Sequence, residues 1–311
     1  MLMTECPAPS NLLLSCIEDA GTIPRGTCRL IHIPKPRIVN DAVNSFLLLD
    51  ANDCPIGVAQ WSDASAPRLL QRAVDSSVSV RQLLGLALSD FVIEPMCSGD
   101  ADGRTFAVWP WRRPIPQRGL AWWLRRPGIR RSVRDWLRGV VRVAAAAERT
   151  ENVRLRYRET LTYVCHSVDF SPQQKTVAEL AVARLDSGKW RPASIVDHND
   201  LWRGNVHWNV DPQGRQCGTA PLVIIDWGGA NPLGSGYYDL MRWAASTQMS
   251  VQDLASEVRL YADILGVDPI DAKGHLLCTL GRLAIHREQL QVERLRQLVR
   301  SMWDRFERAT A

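Results

Sequence analysis

At 311 residues, 46% hydrophobic and 23% charged, the chain has the composition of a globular protein with room for one large core or two smaller ones. Nowhere do about 18 apolar residues run together, which argues against a membrane-spanning helix, and residues 1–7 lack the basic flank and apolar run of a secretory signal. The formal net charge is +5, and the eight cysteines, Cys6 to Cys278, are scattered without a Cys-x-x-Cys pair, which argues against a disulfide frame or zinc site and points to the reducing cytoplasm.

Residues 10–20 read as a short helix. From Cys28 the pattern turns extended, over 29–34, 44–50 and 56–61, and the last two runs are spaced as a hairpin around a turn at 51–55. Helices are expected over 66–74 and 80–88, then strands over 91–95 and 105–111 around a polar turn, Ser98-Gly-Asp-Ala-Asp-Gly103. Composition changes abruptly at Trp109-Pro110-Trp111, followed by Arg112-Arg-Pro-Ile-Pro116, which marks a hinge dividing residues 1–110 from 111–311.

Residues 111–142 hold ten arginines, no lysine and one acid, Asp135, a local charge of +9, so the rest of the chain sums to −4. Trp111, Trp122, Trp123 and Trp136 are interleaved with them. Two readings compete: a solvated helix face with its tryptophans turned inward, or a surface for phosphate, an anionic saccharide or peripheral contact with a membrane. No recognised nucleic-acid-binding motif accompanies the patch, so nucleic acid is not an expected partner. Residues 132–149 read as helical.

Ser171-Pro172 is a helix start, with serine as cap and proline in the first turn, and Gly188 marks the far end. Ser194-Ile-Val196 then enters a loop, Asp197-His-Asn-Asp200-Leu-Trp-Arg203-Gly-Asn205, which Val206-His-Trp208 leaves; a second apolar run, Leu222-Val-Ile-Ile225, ends on Asp226. Asp200, Asn205 and Asp226 thus offer three oxygen-bearing side chains from two adjacent segments, which suits a hard divalent cation and a hydroxyl needing orientation. Metaphosphate-like transfer asks a protein for positioning and charge neutralisation: one carboxylate meets the acceptor hydroxyl while another holds Mg²⁺ on the phosphates. Asp200 and Asp226 divide those roles, Asn205 completes the metal shell, and His198 pins the loop through its backbone. Arg203 either stabilises developing charge or faces outward. The plain alternative is a turn between strands, since Asp, Asn and Gly favour turns; the strand-like runs on both sides of the loop argue against it. Further on, Ser250-Val-Gln-Asp253 reads as a capping box opening a helix to Leu265, and helical, arginine-rich patterns cover 276–282 and 290–305.

His198-Asn-Asp200 with Asn205, then Ile225-Asp226-Trp227, then Tyr238-Asp239-Leu240 stand in the order and spacing of motifs in the aminoglycoside phosphotransferase and choline kinase family, small-molecule relatives of the protein kinases. Residues 171–246 resemble that family's catalytic segment. The resemblance implies an α+β, two-lobed protein kinase-like fold with a small β-rich amino-terminal lobe and a larger, mostly helical carboxyl-terminal lobe. It implies ATP and Mg²⁺ as cofactors, Asp200 as base, Asn205 and Asp226 as metal and nucleotide ligands, and Asp239 as an anchor of the loop. It also implies backbone near Trp109 against the adenine, and a small-molecule or saccharide hydroxyl as acceptor, anionic if the arginine-rich segment contributes.

The amino-terminal half departs from that family. Gln60, in Gly57-Val-Ala-Gln60-Trp61, stands where a third-strand lysine is expected; the helix at 66–74 offers no glutamate, and Gly21 and Gly26 lie too far upstream to form a phosphate-capping loop. Glutamine donates a hydrogen bond to phosphate without neutralising it, and charge-assisted bonds are roughly twice as strong. Lys35, Arg68 or Arg72 would have to supply the cation; otherwise the chain is a non-catalytic, kinase-like binding protein, a pseudokinase.

Overall fold

The computed structural model describes residues 9–21, 23–34, 43–286 and 291–310; Cys6, Lys35 and Leu290 lie outside them. In chain order, α1 (Pro9–Asp19) precedes β1 (Arg29–Ile33), β2 (Val43–Leu49) and β3 (Pro55–Ser62). Helix α2 (Leu69–Leu84) and a single turn, α3 (Leu86–Ser89), lead to β4 (Cys97–Ala101), β5 (Arg104–Pro110) and β6 (Arg113–Pro114). Helices α4 (Gly119–Ala146), α5 (Glu151–His166) and α6 (Pro172–Asp186) follow. Then come β7 (Ile195–Asp197), β8 (Val206–Trp208), β9 (Leu222–Ile224) and β10 (Asn231–Gly234). The chain ends with α7 (Tyr237–Thr247), α8 (Val251–Leu265), α9 (Pro269–Ile285) and α10 (Val292–Thr310). It divides into two compact units, Met1–Trp122 with Gly204–Ala230, and Trp123–Arg203 with Asn231–Ala311.

The first unit is built on an antiparallel sheet in the order β1-β2-β3-β5-β4. The expected β2–β3 hairpin is present, with Phe46 opposite Ala59 and Leu48 opposite Gly57. Phe46 and Leu48, two residues apart, share the buried face of β2, and α1 lays the fully buried Leu13 and Ile17, four residues apart on one helical face, into the same core. A second, three-stranded sheet pairs β6 with β8 and β8 with β9.

Three expectations for this half are corrected. Residues 66–74 and 80–88 are not two helices: α2 runs unbroken through Asp75-Ser-Ser77, because the buried Ser77 hydroxyl donates to the Ile93 carbonyl, and the break comes at Gly85 with φ 66°. The polar stretch 98–103 is not all turn. Cys97–Ala101 is the edge strand β4, and Asp102 and Gly103, with φ 52° and 69°, make the two-residue left-handed turn that a tight hairpin requires. Phe91-Val-Ile93 is no strand of the large sheet; it runs extended beside β9, where Ile93 N–H donates to Ile224 O at 3.1 Å.

In the second unit α6 starts as expected, with Ser171 as cap and Pro172 in the first turn, and Gln174 adds a return bond to Ser171 N–H that completes a capping box. Of the capping box expected at Ser250, the serine half is seen: Ser250 Oγ accepts from Asp253 N–H at 3.1 Å. Helix α4 begins well before residue 132, at Gly119, and continues through Pro127, which lies on its exposed side. No disulfide joins the seven cysteines among the described residues.

Tyr157 of α5, Trp190, Tyr237 of α7 and His275 of α9 form a buried aromatic cluster at the centre of this unit, with Tyr157 Oη 2.8 Å from His275 Nδ1. Tyr157 also reaches the Ala193 carbonyl at 3.1 Å. His275 Nε2 is buried with no partner among the described residues, which favours the tautomer with its proton on Nδ1, donated to Tyr157, since an orphaned acceptor costs less than an orphaned N–H. Burial, helped by the Arg149 charge, pushes His275 down to about 3. Its neutral form belongs to the folded state, so between the ordinary value near 6.5 and about 3 the unfolded chain binds a proton that the folded chain refuses. Stability therefore falls as the pH drops through that window. We expect His275→Gln to be less stable than the parent at neutral pH but to lose about 2–3 kcal/mol less between about pH 7 and about pH 4. Denaturant unfolding at both pH values measures this, and parallel losses in the two proteins would refute it.

Candidate functional site

In the second unit, β7 pairs antiparallel with β10, with Asn231 opposite Asp197 and Gly234 opposite Ile195. The loop after β7 has no regular partner for its N–H groups, and Asp239 in the first turn of α7 supplies one. Its carboxylate accepts from His198 N–H at 2.5 Å and Asn199 N–H at 3.0 Å. Asp197 returns the favour: its fully buried carboxylate accepts from Ser235 N–H at 2.8 Å and Gly236 N–H at 2.5 Å, just before α7 begins. Thr279 and Arg282 of α9 reach the same carboxylate at 3.2 and 3.5 Å. Loop and helix start are thus locked by two carboxylates facing in opposite directions.

The lock leaves no space for side chains at two glycines. A Cβ on Gly234 would stand 2.2 Å from Asp197 Oδ2, and one on Gly236, at φ 79°, would stand 2.6 Å from Ile195 Cγ2. Asn199 adopts the left-handed conformation, φ 65°, which asparagine tolerates better than most residues, and Arg282 reaches its side-chain oxygen at 3.3 Å. His198 is fully buried and its Nδ1 accepts from Asp200 N–H at 3.3 Å, the pinning role expected for it. Burial pushes the Asp197 and Asp239 carboxyls above the ordinary range, and the Asp197 charge pushes Asp239 further. The donated N–H groups, with Arg282 on Asp197, pull the other way.

Asp200 emerges from this frame with its side chain 46% exposed, in an ion pair with Arg242 of α7. Arg203 is held by its backbone, its N–H donating to Ser246 Oγ at 3.2 Å. Asp197, Arg242, Thr279 and Arg282 were not legible as site residues from their sequence positions alone. The available signals were an acid inside an apolar run, Ile195-Val-Asp197, and the Gly234-Ser-Gly236 run ahead of Tyr-Tyr-Asp239.

In the first unit, Asn205 closes a short 3-10 turn and is buried, and its carbonyl accepts from Ile225 N–H at 2.9 Å beside the Val206–Ile224 pair of β8 and β9. Asp226 lies two residues beyond β9 in the left-handed conformation, φ 64° and ψ 61°, at the head of a 3-10 turn over Trp227–Gly229. Buried Trp227 fixes that turn by donating from its indole to Ile224 O at 2.8 Å, and α2 packs against it, with Ala73 3.6 Å from where a Gly228 Cβ would be. Asn205 and Asp226 are therefore presented by neighbouring strands of one hairpin. Their donor set, one carboxylate and one amide oxygen, fits Mg²⁺, which keeps several waters and takes one or two carboxylates alongside phosphate oxygens.

Gln60 sits on β3, between β2 and β5, and its side-chain oxygen accepts from the Trp109 indole at 2.9 Å. Helix α2 contains no glutamate, and Arg68 and Arg72 are exposed at its start. We expect Gly234→Ala to destabilise the protein by about 2–4 kcal/mol, through displacement of the Asp197 carboxylate. We expect Asp239→Asn, which keeps one acceptor oxygen, to fall between the parent and Asp239→Ala. Thermal or denaturant unfolding tests both; a Gly234→Ala protein as stable as the parent would contradict the first.

No family model and no curated protein sequence matches the chain. Solved structures do. Wild-type aminoglycoside 2'-phosphotransferase-IIIa, in its GDP complex, aligns over 96% of this chain and 99% of its own at 13% identity, with a TM-score of 0.52. A protein assigned as a fructosamine-3-kinase in Haemophilus somnus 129PT aligns over 94% of this chain and 96% of its own at 10% identity, with a TM-score of 0.51. The chain thus has the kinase-like fold of these phosphotransferases, with an antiparallel β-sheet in its amino-terminal part and a mostly helical carboxyl-terminal part.

Proposed function

We propose that this chain is a cytoplasmic phosphotransferase that moves the γ-phosphoryl group of ATP onto a hydroxyl of a small molecule or saccharide. Residues 1–110 would form its nucleotide lobe and residues 111–311 its catalytic and acceptor lobe. The observation that carries the reading is Asp200: a carboxylate on a loop fixed by two buried carboxylates, its side chain 46% exposed and paired with Arg242. The fold it shares with an aminoglycoside phosphotransferase supports the same reading. That protein was solved with GDP, which makes GTP a donor to test beside ATP.

In the reaction, Asp200 accepts the proton of the acceptor hydroxyl as its oxygen bonds to the γ-phosphorus. The bond from that phosphorus to the β–γ bridging oxygen breaks, and the diphosphate leaves. Arg242, paired with Asp200, orients the carboxylate, and Arg203 faces the developing charge. Asn205 and Asp226 would hold Mg²⁺, which would supply neutralisation of phosphate charge. Backbone near Trp109 meets the purine, and Gln60, with its oxygen committed to the Trp109 indole, turns its amide N–H groups to phosphate. The cation missing from β3 comes from Arg68 or Arg72.

A second reading is a non-catalytic, kinase-like binding protein, and the neutral Gln60 on β3 favours it. Turnover and binding separate the two. Against a panel of sugars and amino alcohols, Asp200→Ala should lower turnover by about 10³-fold or more while melting within a degree or two of the parent. Undiminished turnover would remove Asp200 as base. ATP with Mg²⁺ should raise the melting temperature more than ATP alone, and Asp226→Ala should erase the metal-dependent part. Absence of any shift with either nucleotide would favour the non-catalytic reading.

A further inference from the structure

We propose that the face of α4 carrying Trp123, Leu124 and Pro127 docks the protein onto an anionic membrane surface. At 3.6 residues per turn, Trp123, Leu124, Pro127, Gly128 and Arg131 fall on one side of the helix, and Ile129, Val133, Trp136 and Val140 on the other. The second group is the buried stripe, each member 3% exposed or less. The first is open: Trp123 is 64% and Leu124 62% exposed, and Pro127 and Gly128 are exposed beside them. Trp136 is turned inward as a solvated-face reading requires, whereas Trp123 is not.

The arginines divide in the same way. Arg130 donates to the Thr247 carbonyl, and Arg134 and Arg138 converge on Glu257 of α8, whose side chain is 2% exposed. Those three tie α4 to its own unit. Arg125 and Arg131 are exposed and Arg126 is partly so, and the sole acid of this stretch, Asp135, bonds Arg138 at 3.0 Å and meets Arg131 only at 3.8 Å. The uncovered apolar group is therefore bordered by cations on a helix whose one acid offsets them weakly.

Among occupants with negative charge, a lipid surface fits better than a protein. A stable protein interface needs roughly 800 Å² of shaped surface from each side. Trp123, Leu124 and Pro127 offer far less than that. A bilayer needs no complementary shape: tryptophan and leucine enter the headgroup boundary one side chain at a time, and guanidinium groups reach the lipid phosphates from the rim. This inference does not depend on the phosphotransferase reading.

The test is co-sedimentation of the full chain with vesicles of phosphatidylglycerol and, separately, of phosphatidylcholine. The protein should pellet with the first, stay in solution with the second, and be released as salt is raised. Trp123→Glu combined with Leu124→Glu should lower apparent affinity tenfold or more. Arg125→Gln with Arg126→Gln should lower it roughly fivefold for each charge removed. Melting temperatures serve as the folding control, and the arginine pair, being at the surface, decides the matter if the glutamate pair does not fold. A parent that ignores both vesicles, or arginine variants that bind as well as the parent, would overturn the proposal. So would a parent that sediments as a dimer and is made monomeric by Trp123→Glu, which would assign the face to a second copy of the chain.

Discussion

The candidate base stands on an exchange of carboxylates. Asp239 takes the N–H groups of His198 and Asn199, and Asp197 takes those of Ser235 and Gly236, so two irregular segments satisfy each other's backbone. Buried N–H groups outside helices and sheets need such partners, and an unpaired one costs about as much as a lost hydrogen bond. Burying two carboxylates is itself unfavourable, which is why each is met by two N–H donors and Asp197 also by Thr279 and Arg282. The glycines at 234 and 236 follow from this: the Asp197 carboxylate and the Ile195 side chain occupy the space their Cβ atoms would need.

Charge in the first unit is arranged differently. Gln60 is neutral and bonded to the Trp109 indole, so β3 presents an amide where the resemblance to the kinase family led to the expectation of a lysine. Positive charge lies instead at the start of α2, in Arg68 and Arg72, and α2 packs on the turn that follows Asp226. That turn is the more constrained part: Asp226 is left-handed, Trp227 is buried beneath it, and the Asn205 carbonyl holds Ile225 beside it. Left-handed residues other than glycine are uncommon, and Asp226 and Asn199, one in each unit, both flank candidate chemistry.

The arginine-rich segment is neither wholly structural nor wholly a surface. Arg134 and Arg138 share the buried Glu257, and Arg130 caps a carbonyl of α7, so composition alone overstates the charge available to a partner. What remains outward is smaller, and of it Arg125, Arg126 and Arg131 lie within about two turns of Leu124 along α4. Helix α4 reaches this arrangement because Pro127 and Gly128 lie on the exposed side, where a missing N–H can be made good by water.

Local chemistry wrote much of this protein into its sequence. The β2–β3 hairpin, the serine cap and first-turn proline that open α6, the apolar run that ends on Asp226, and His198 pinning the loop were all legible, because each depends on residues a few positions apart. The misread stretches depended on distant partners. Ser77 stays helical because its hydroxyl donates to the Ile93 carbonyl, and Phe91-Val-Ile93 is extended because β9 lies beside it. Asp197 looked like an ordinary loop acid, and only folding brought Ser235, Gly236, Thr279 and Arg282 around it. Spacing along a chain encodes helix faces and strand faces; which buried carboxylate meets which backbone N–H forty residues away is decided by packing, since only the assembled core removes water from both.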